Sequence, residues 1–209
     1  MRVLAIGAEA HILKDNSHIR KYRCAKTYRH PVLDRKLRNE RMHREARLLQ
    51  KAFAAGIAVP KIIEQEEINC TLVLEYVSGP TAAAVLSRKW KSLARQIGNA
   101  IALLHRENII HGDLTTSNII IHGKEVVLLD FGLGFISNKV EDRAVDLHVL
   151  QESLRAKHHR IANTCFNSII RAYRRAYPAA SAVLVRLAQV NQRGRYKGKH
   201  SVSRVEIKI

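Results

Sequence analysis

The sequence predicts an α+β chain in two lobes: a small, strand-rich N-terminal lobe with one long helix, and a reduced, mostly helical C-terminal lobe. Three observations carry this. Short apolar and β-branched runs crowd the first 77 positions around a single helical stretch; Ser78-Gly79-Pro80 then breaks the pattern; and three- to four-residue periodicity dominates beyond it. A chain of 209 residues with 46% apolar content has enough material for a core in two small lobes. The predicted boundaries are 1–77 for the first lobe, 78–190 for the second and 191–209 for a basic tail.

In chain order, Val3 to Ile6, Ala10 to Leu13 and His18 to Arg23 read as strands, with Asp15-Asn16-Ser17 as a turn. After His30-Pro31 a helix is predicted over about 34–55, with Leu37, Arg41, Glu45 and Leu48 recurring at helical spacing and Gly56 as its cap. Pro60 opens two more strands, Lys61 to Gln65 and Cys70 to Val77. Trp90 to Arg106 is helical, with Leu93, Ile97, Ile101 and Leu104 on one buried stripe. Ile119 to Ile121 and Val126 to Leu129 form a hairpin around His122-Gly123-Lys124. Residues 143–156, 160–176 and 180–190 read as three further helices. From Asn191 the chain is rich in Arg, Lys and Gly and reads as a tail that orders on binding; 200–209 is either an extended strand or a loose extension.

Thirty-six Lys+Arg against eighteen Asp+Glu give a formal charge of +18. The charge is segregated: Lys14 to Lys51 nets +9, Arg155 to Ile209 nets +12, and the remainder nets −3. Two basic segments flanking a slightly acidic middle point to a polyanionic partner. No run approaches the roughly eighteen apolar residues of a membrane span. Cys24, Cys70 and Cys165 are odd in number and far apart, the pattern of reduced intracellular thiols, so a cytoplasmic setting is expected, nuclear as well in a eukaryote.

The chemistry sits in two loops. The first is Ile109-Ile110-His111-Gly112-Asp113-Leu114-Thr115-Thr116-Ser117-Asn118, and the second is Leu128-Leu129-Asp130-Phe131-Gly132. Phosphoryl transfer needs a carboxylate near the attacking hydroxyl, hard oxygen ligands for magnesium and a lysine on the nucleotide phosphates. An Asp followed five positions later by Asn, and then an Asp-Phe-Gly after an apolar strand, is the protein-kinase signature. Asp113, Asn118 and Asp130 occur in that order and spacing. Upstream, Lys21 lies in a strand and Glu45 on the long helix, positioned to pair and to aim the lysine at phosphates. Leu74-Glu75-Tyr76-Val77 reads as a hinge whose main-chain groups at Glu75 and Val77 would bond an adenine edge. The glycine-rich loop is reduced to Gly7, with Glu9 beside it.

Gly7-Ala8-Glu9-Ala10, Tyr28-Arg29-His30-Pro31, Glu45-Ala46-Arg47-Leu48-Leu49, the His111–Asn118 run, Asp130-Phe131-Gly132-Leu133 and Glu141-Asp142-Arg143-Ala144-Val145-Asp146-Leu147 together resemble the small atypical kinase/ATPase subunit of the KEOPS complex. The resemblance covers about residues 6 to 195. It implies a bilobal kinase-like fold, ATP and Mg2+ as cofactors, ATPase activity or serine/threonine phosphorylation in isolation, and support of the threonylcarbamoyl modification at adenosine 37 of tRNA. It implies as partners the threonylcarbamoyltransferase subunit, a small regulatory subunit on the N-terminal lobe, and tRNA. By position, Lys21 would bind phosphates, Glu45 orient it, Asp113 act as catalytic base or water-positioning carboxylate, and Asn118 and Asp130 hold magnesium. Asp146 would brace the catalytic loop, with His111 and Phe131 as internal packing.

Departures narrow the activity. Gly112 stands where regulated protein kinases carry an arginine, Thr115 where they carry a lysine, and only nine residues separate Gly132 from Asp142. These losses favour ATP hydrolysis or self-phosphorylation over general protein phosphorylation. Two rival readings remain: a small-molecule phosphotransferase of the aminoglycoside/choline kinase type, and a catalytically idle tRNA-binding adaptor. For the latter, Arg193, Arg195, Lys197 and Lys199 would meet the phosphate backbone, with Tyr196 stacking on a base.

Overall fold

The computed structural model describes residues 1–7 and 10–197, with side chains outside 194–197. Glu9, Lys199 and the segment 200–209 lie outside the described residues.

The N-terminal lobe is a five-stranded antiparallel sheet in the order β1-β2-β3-β5-β4, built from β1 (Arg2–Ile6), β2 (Ala10–Asp15), β3 (His18–Arg23), β4 (Ile62–Glu66) and β5 (Thr71–Glu75). β3 pairs on one side with β2 (Ile12 opposite Lys21) and on the other with β5 (Leu72 opposite Lys21). Lys21 therefore occupies a central strand, and strand alternation fixes which side it faces.

The first helix, α1 (Pro31–Ala54), starts earlier than the sequence predicts, because Pro31 takes a first-turn position where its missing N–H costs nothing. Of the residues marked at helical spacing, Glu45 and Leu48 are buried. Met42, Glu45, Ala46, Leu49 and Ala52 face inward, while Leu37 and Arg41 are only half-buried. Asp34 is buried as well, where Arg38 Nε donates to it at 2.7 Å and the Lys26 N–H at 3.2 Å, tying the helix start to the preceding loop.

The C-terminal lobe holds α2 (Ala82–Arg106), α3 (Val140–Lys157), α4 (Ala162–Ala176) and α5 (Ala180–Lys197). Two short pairs sit above them: β6 (Ile109–Ile110) with β9 (Phe135–Ile136), and β7 (Ile119–His122) with β8 (Glu125–Leu128). α2 begins at Ala82 rather than Trp90; the Ala82-Ala83-Ala84 turn favours helix but carries no polar contrast for periodicity to detect. α5 runs past residue 190, so the first turns of the predicted tail are helical. Asn191 explains it: its Oδ1 accepts from His148 Nδ1–H at 2.7 Å and its Nδ2 donates to Gln151 Oε1 at 2.9 Å, docking that turn on α3.

α2 and α4 pack closely at Gly98, where an added Cβ would stand 2.4 Å from the Ile169 carbonyl oxygen and 2.7 Å from the Ala172 Cβ. One apolar core runs from Met42 and Leu49 through Leu72, Ile97, Ile101 and Phe131 to Leu150 and Ile169. Among the described residues no helix is long and apolar enough to cross a membrane, and the three cysteines are unpaired. Gly98→Ala is expected to lower the unfolding free energy by about 1–3 kcal/mol, measured by urea denaturation, because backbone and not a flexible side-chain end must move.

Candidate active site

Two inward residues of β3, Lys21 and Arg23, converge on one carboxylate. Glu45, on the buried face of α1 and 1% exposed, accepts from Lys21 Nζ at 2.7 Å through one oxygen and from Arg23 Nη2 at 2.6 Å through the other. Lys21 Nζ also donates to Asp130 at 2.6 Å. A carboxylate this deep is stable only because both oxygens are matched by cations. The sequence reading missed Arg23. The strand period of two, which places residues 21 and 23 on one face, is the signal that would have found it.

The loop after β6 is held from below. Asp146 on α3 accepts the His111 N–H at 2.6 Å and the Gly112 N–H at 2.9 Å. Its environment is completed by His105, whose Nε2 lies 3.4 Å away and whose Nδ1 lies 2.9 Å from the Tyr173 hydroxyl. Burial pushes the Tyr173 phenol upward, so it stays protonated. Arg143, also buried, donates to the His105 and Asn138 carbonyls and to Asn108. Nothing local in sequence marks the Tyr173–His105 link, which joins residues 68 apart.

Gly112 now has a physical reason. Its φ is +78°, and a Cβ there would stand 2.3 Å from the Leu133 carbonyl oxygen, so no arginine fits. The segment after Gly132 returns at once as β9 against β6, and Ser137 Oγ donates to Asp142 at 2.5 Å at the start of α3.

Asn118 Nδ2 donates to both the Asp113 carbonyl at 2.9 Å and the Asp113 carboxylate at 2.8 Å, fixing the orientation of that side chain. His111 is fully buried against Phe131, with ring centroids 4.7 Å apart. Its Nε2–H donates to the Leu129 carbonyl at 2.9 Å, and its Nδ1 accepts the Asp113 N–H at 3.3 Å, an arrangement that requires the neutral ring. Burial lowers its pKa, outweighing the opposing pull of Asp146. For Asp130, burial acts to raise the carboxyl, but the Lys21 ammonium and the Gly132 N–H outweigh it and hold it below the usual carboxylate range. Asp130 has φ +56°, left-handed backbone that short polar residues tolerate.

These groups open onto a cleft of about 320 Å³ between the lobes. Ile12, Ile19, Leu74, Ile120 and Leu129 line its apolar part, Lys21, Glu45, Asn118 and Asp130 its polar end, and Glu75 and Val77 its rim. The Glu75 N–H is donated to Lys61 at 2.9 Å and the Tyr76 N–H to Ser17 at 2.9 Å; the Val77 N–H has no such partner among the described residues. Gly7 turns β1 into β2, its N–H donating to the Ala10 carbonyl at 2.9 Å. Of the expected site residues, Lys21, Glu45, Asp130, Asn118, Glu75 and Val77 line one cleft, and Asp113 is joined to it through Asn118. Arg193 lies elsewhere, paired with Glu141 on α3 at 2.8 Å. The side chains of Arg195 and Lys197, like Lys199, lie outside the described residues.

A two-lobed chain with a lysine–glutamate pair above, and an Asp/Asn loop and an Asp-Phe-Gly turn below, is a protein kinase domain, and residues 6–153 match the protein kinase domain family. The fold matches the Rio2 kinase of Chaetomium thermophilum, solved as an ADP/Mg2+-phosphoaspartate complex, with a TM-score of 0.64 at 15% identity, over 94% of this chain and 70% of that one. The KEOPS complex subunit Bud32 of Pyrococcus abyssi is 33% identical over 94% of this chain and 97% of its own length. That of Dictyostelium discoideum is 35% identical over 93% and 83% respectively. The chain belongs to the Bud32 family of KEOPS complex subunits, and with it to the ATP-dependent kinases and ATPases. A probable bifunctional tRNA threonylcarbamoyladenosine biosynthesis protein of Methanothermobacter thermautotrophicus is 41% identical over 93% of this chain, which spans only 36% of that longer protein.

Two outcomes follow from the site's geometry. Arg23→Leu leaves Glu45 with half its compensation and is expected to cost about 3–5 kcal/mol in urea unfolding, with Arg23→Lys losing less. In an NMR titration the His111 imidazole stays neutral as pH falls below 6.5, because its folded-state pKa lies under that value.

Proposed function

We propose that the chain binds ATP with magnesium in this cleft and hydrolyses it, or phosphorylates its own serine or threonine residues in isolation. In this reading it does so as the ATP-dependent subunit of a KEOPS complex serving threonylcarbamoyl modification of tRNA at adenosine 37. One observation carries the reading: Lys21 Nζ bridges Glu45 and Asp130, joining β3, α1 and the Asp-Phe-Gly turn at the polar end of the cleft.

The residues fit the nucleotide. Apolar walls at Ile12, Ile19, Leu74 and Leu129 suit a flat base, and the uncommitted Val77 N–H, with the Glu75 main chain, suits its edge. Lys21, oriented by Glu45 and Arg23, is the phosphate cation. The ionised Asp130 carboxylate and the Asn118 side-chain carbonyl are hard oxygen donors of the kind magnesium takes. When bound, the magnesium nucleotide supplies the transferable phosphoryl group and offsets its charge. Asp113, held by Asn118, accepts a hydrogen bond from the attacking hydroxyl or water and keeps it in line.

The relatives' names, KEOPS complex subunit and tRNA threonylcarbamoyladenosine biosynthesis protein, support the assembly and the pathway. The proposed partners are accordingly the threonylcarbamoyltransferase subunit, a small regulatory subunit on the N-terminal lobe, and tRNA. The shortness of the Gly132–Asp142 segment and Thr115 in place of a lysine favour water or the protein itself as acceptor. A small-molecule kinase for cationic substrates fits poorly, since α4 and α5 carry no acidic residue. An idle adaptor would need none of the cleft's charged groups.

The test is ATP turnover by the wild-type chain and by Asp130→Ala, each with and without the transferase subunit and tRNA. A loss of about 10²–10³-fold in the variant is expected. Equal turnover in both would sink the magnesium assignment.

A further inference from the structure

A second charged surface lies away from the cleft and from the tail. α2 carries five Lys and Arg residues and no Asp or Glu, and residues 155–176 carry six with none. Two contacts set these segments side by side. The Ser87 hydroxyl lies 3.0 Å from His158 Nδ1, and the Tyr173 hydroxyl lies 2.9 Å from His105 Nδ1. With Gly98 against Ile169 and Ala172 between them, α2 and α4 run parallel. Arg88 and Lys91, on the same side of α2 as Ser87, therefore stand beside Lys157 and Arg160, all exposed.

A third contact fastens this surface to the catalytic loop: Lys157 Nζ donates to Ser117 Oγ at 2.5 Å, four residues beyond Asp113. Arg155 has a carboxylate partner, Glu152, at 2.5 Å. Arg88, Lys91 and Arg160 form no ion pair among the described residues. Uncompensated like charge on one face repels itself, and a bound polyanion relieves that repulsion.

We propose that this surface, Arg88, Lys91, Lys157 and Arg160, binds the phosphate backbone of RNA and runs it alongside the catalytic loop. The inference rests on the reading that the chain serves tRNA, and it adds a site to that reading. The chemistry favours RNA over an acidic protein. Trp90, the aromatic residue within the α2 cluster, is half-buried and packs against the core, and among the described residues no exposed large hydrophobic side chain lies in 82–102 or 154–176. The surface therefore lacks the exposed apolar anchor on which protein interfaces depend, and offers bare cations of the kind that hold phosphates.

The experiment compares the full-length wild-type chain with the double variant Arg88→Gln/Lys91→Gln, chosen because glutamine keeps the helix propensity. Binding of a tRNA transcript is followed by fluorescence anisotropy from low to moderate salt, with ATP turnover as the check on the cleft. The expected result is unchanged turnover, at least a tenfold loss of affinity at low salt, and a log–log salt slope shallower by about one to two. Wild-type affinity and slope in the variant would remove this surface from RNA binding while leaving the tRNA reading standing. A wild-type chain that binds no tRNA at any salt overturns that reading and this site with it. If polyglutamate binds the wild type and loses affinity in the variant while tRNA does not, the surface takes an acidic protein and the RNA assignment fails.

Discussion

The structure turns on one buried carboxylate. Glu45 sits at the junction of the sheet and α1, and it can be ionised there only because Lys21 and Arg23 each satisfy one oxygen. Desolvating a lone carboxylate costs several kcal/mol, so the two cations are conditions of the fold as much as parts of the site. Their positions are set by β3, whose alternation sends residues 21 and 23 to the same face. Because Lys21 also reaches Asp130, the same charge cluster fixes how the upper lobe meets the Asp-Phe-Gly turn. Lobe packing and nucleotide chemistry are therefore one electrostatic arrangement.

The lower lobe uses a second carboxylate differently. Asp146 pairs with no Lys or Arg among the described residues; it gathers the main-chain N–H groups of His111 and Gly112 and so holds the loop that carries Asp113. His105 and Tyr173 extend this support into α2 and α4. Regulated kinases use an arginine and a long segment to make this loop conditional. Here Gly112 is packed on Leu133, and the chain turns back into β9 at once, so the loop is assembled by the fold itself. The loop that carries Asp113 is thus held by main-chain contacts to Asp146 and not by a long segment after Gly132.

Much of this was legible in sequence. Asp113, Asn118 and Asp130 were marked by spacing, Lys21 and Glu45 by their order on strand and helix, and the hinge by an apolar run ending in Glu75. Helix bounds were less legible. Ala82 to Ala84 gave no polar contrast, and the docking of Asn191 on α3 carried α5 past the point where composition suggested a tail. Arg23 was not marked as a site residue, because composition averages over residues that strand geometry separates.

The sequence by itself determined the order of elements, the candidate site residues and the division of charge into two basic segments around an acidic middle, since these depend on local periodicity and residue type. The tertiary structure decided which charges answer which. Glu45 takes both Lys21 and Arg23, Asp146 takes two amides, and Gly112 must lack a side chain because Leu133 lies against it. The apposition of α2 with the α3–α4 connection also arose only there. Such pairings join residues tens of positions apart, and packing, not local preference, selects them.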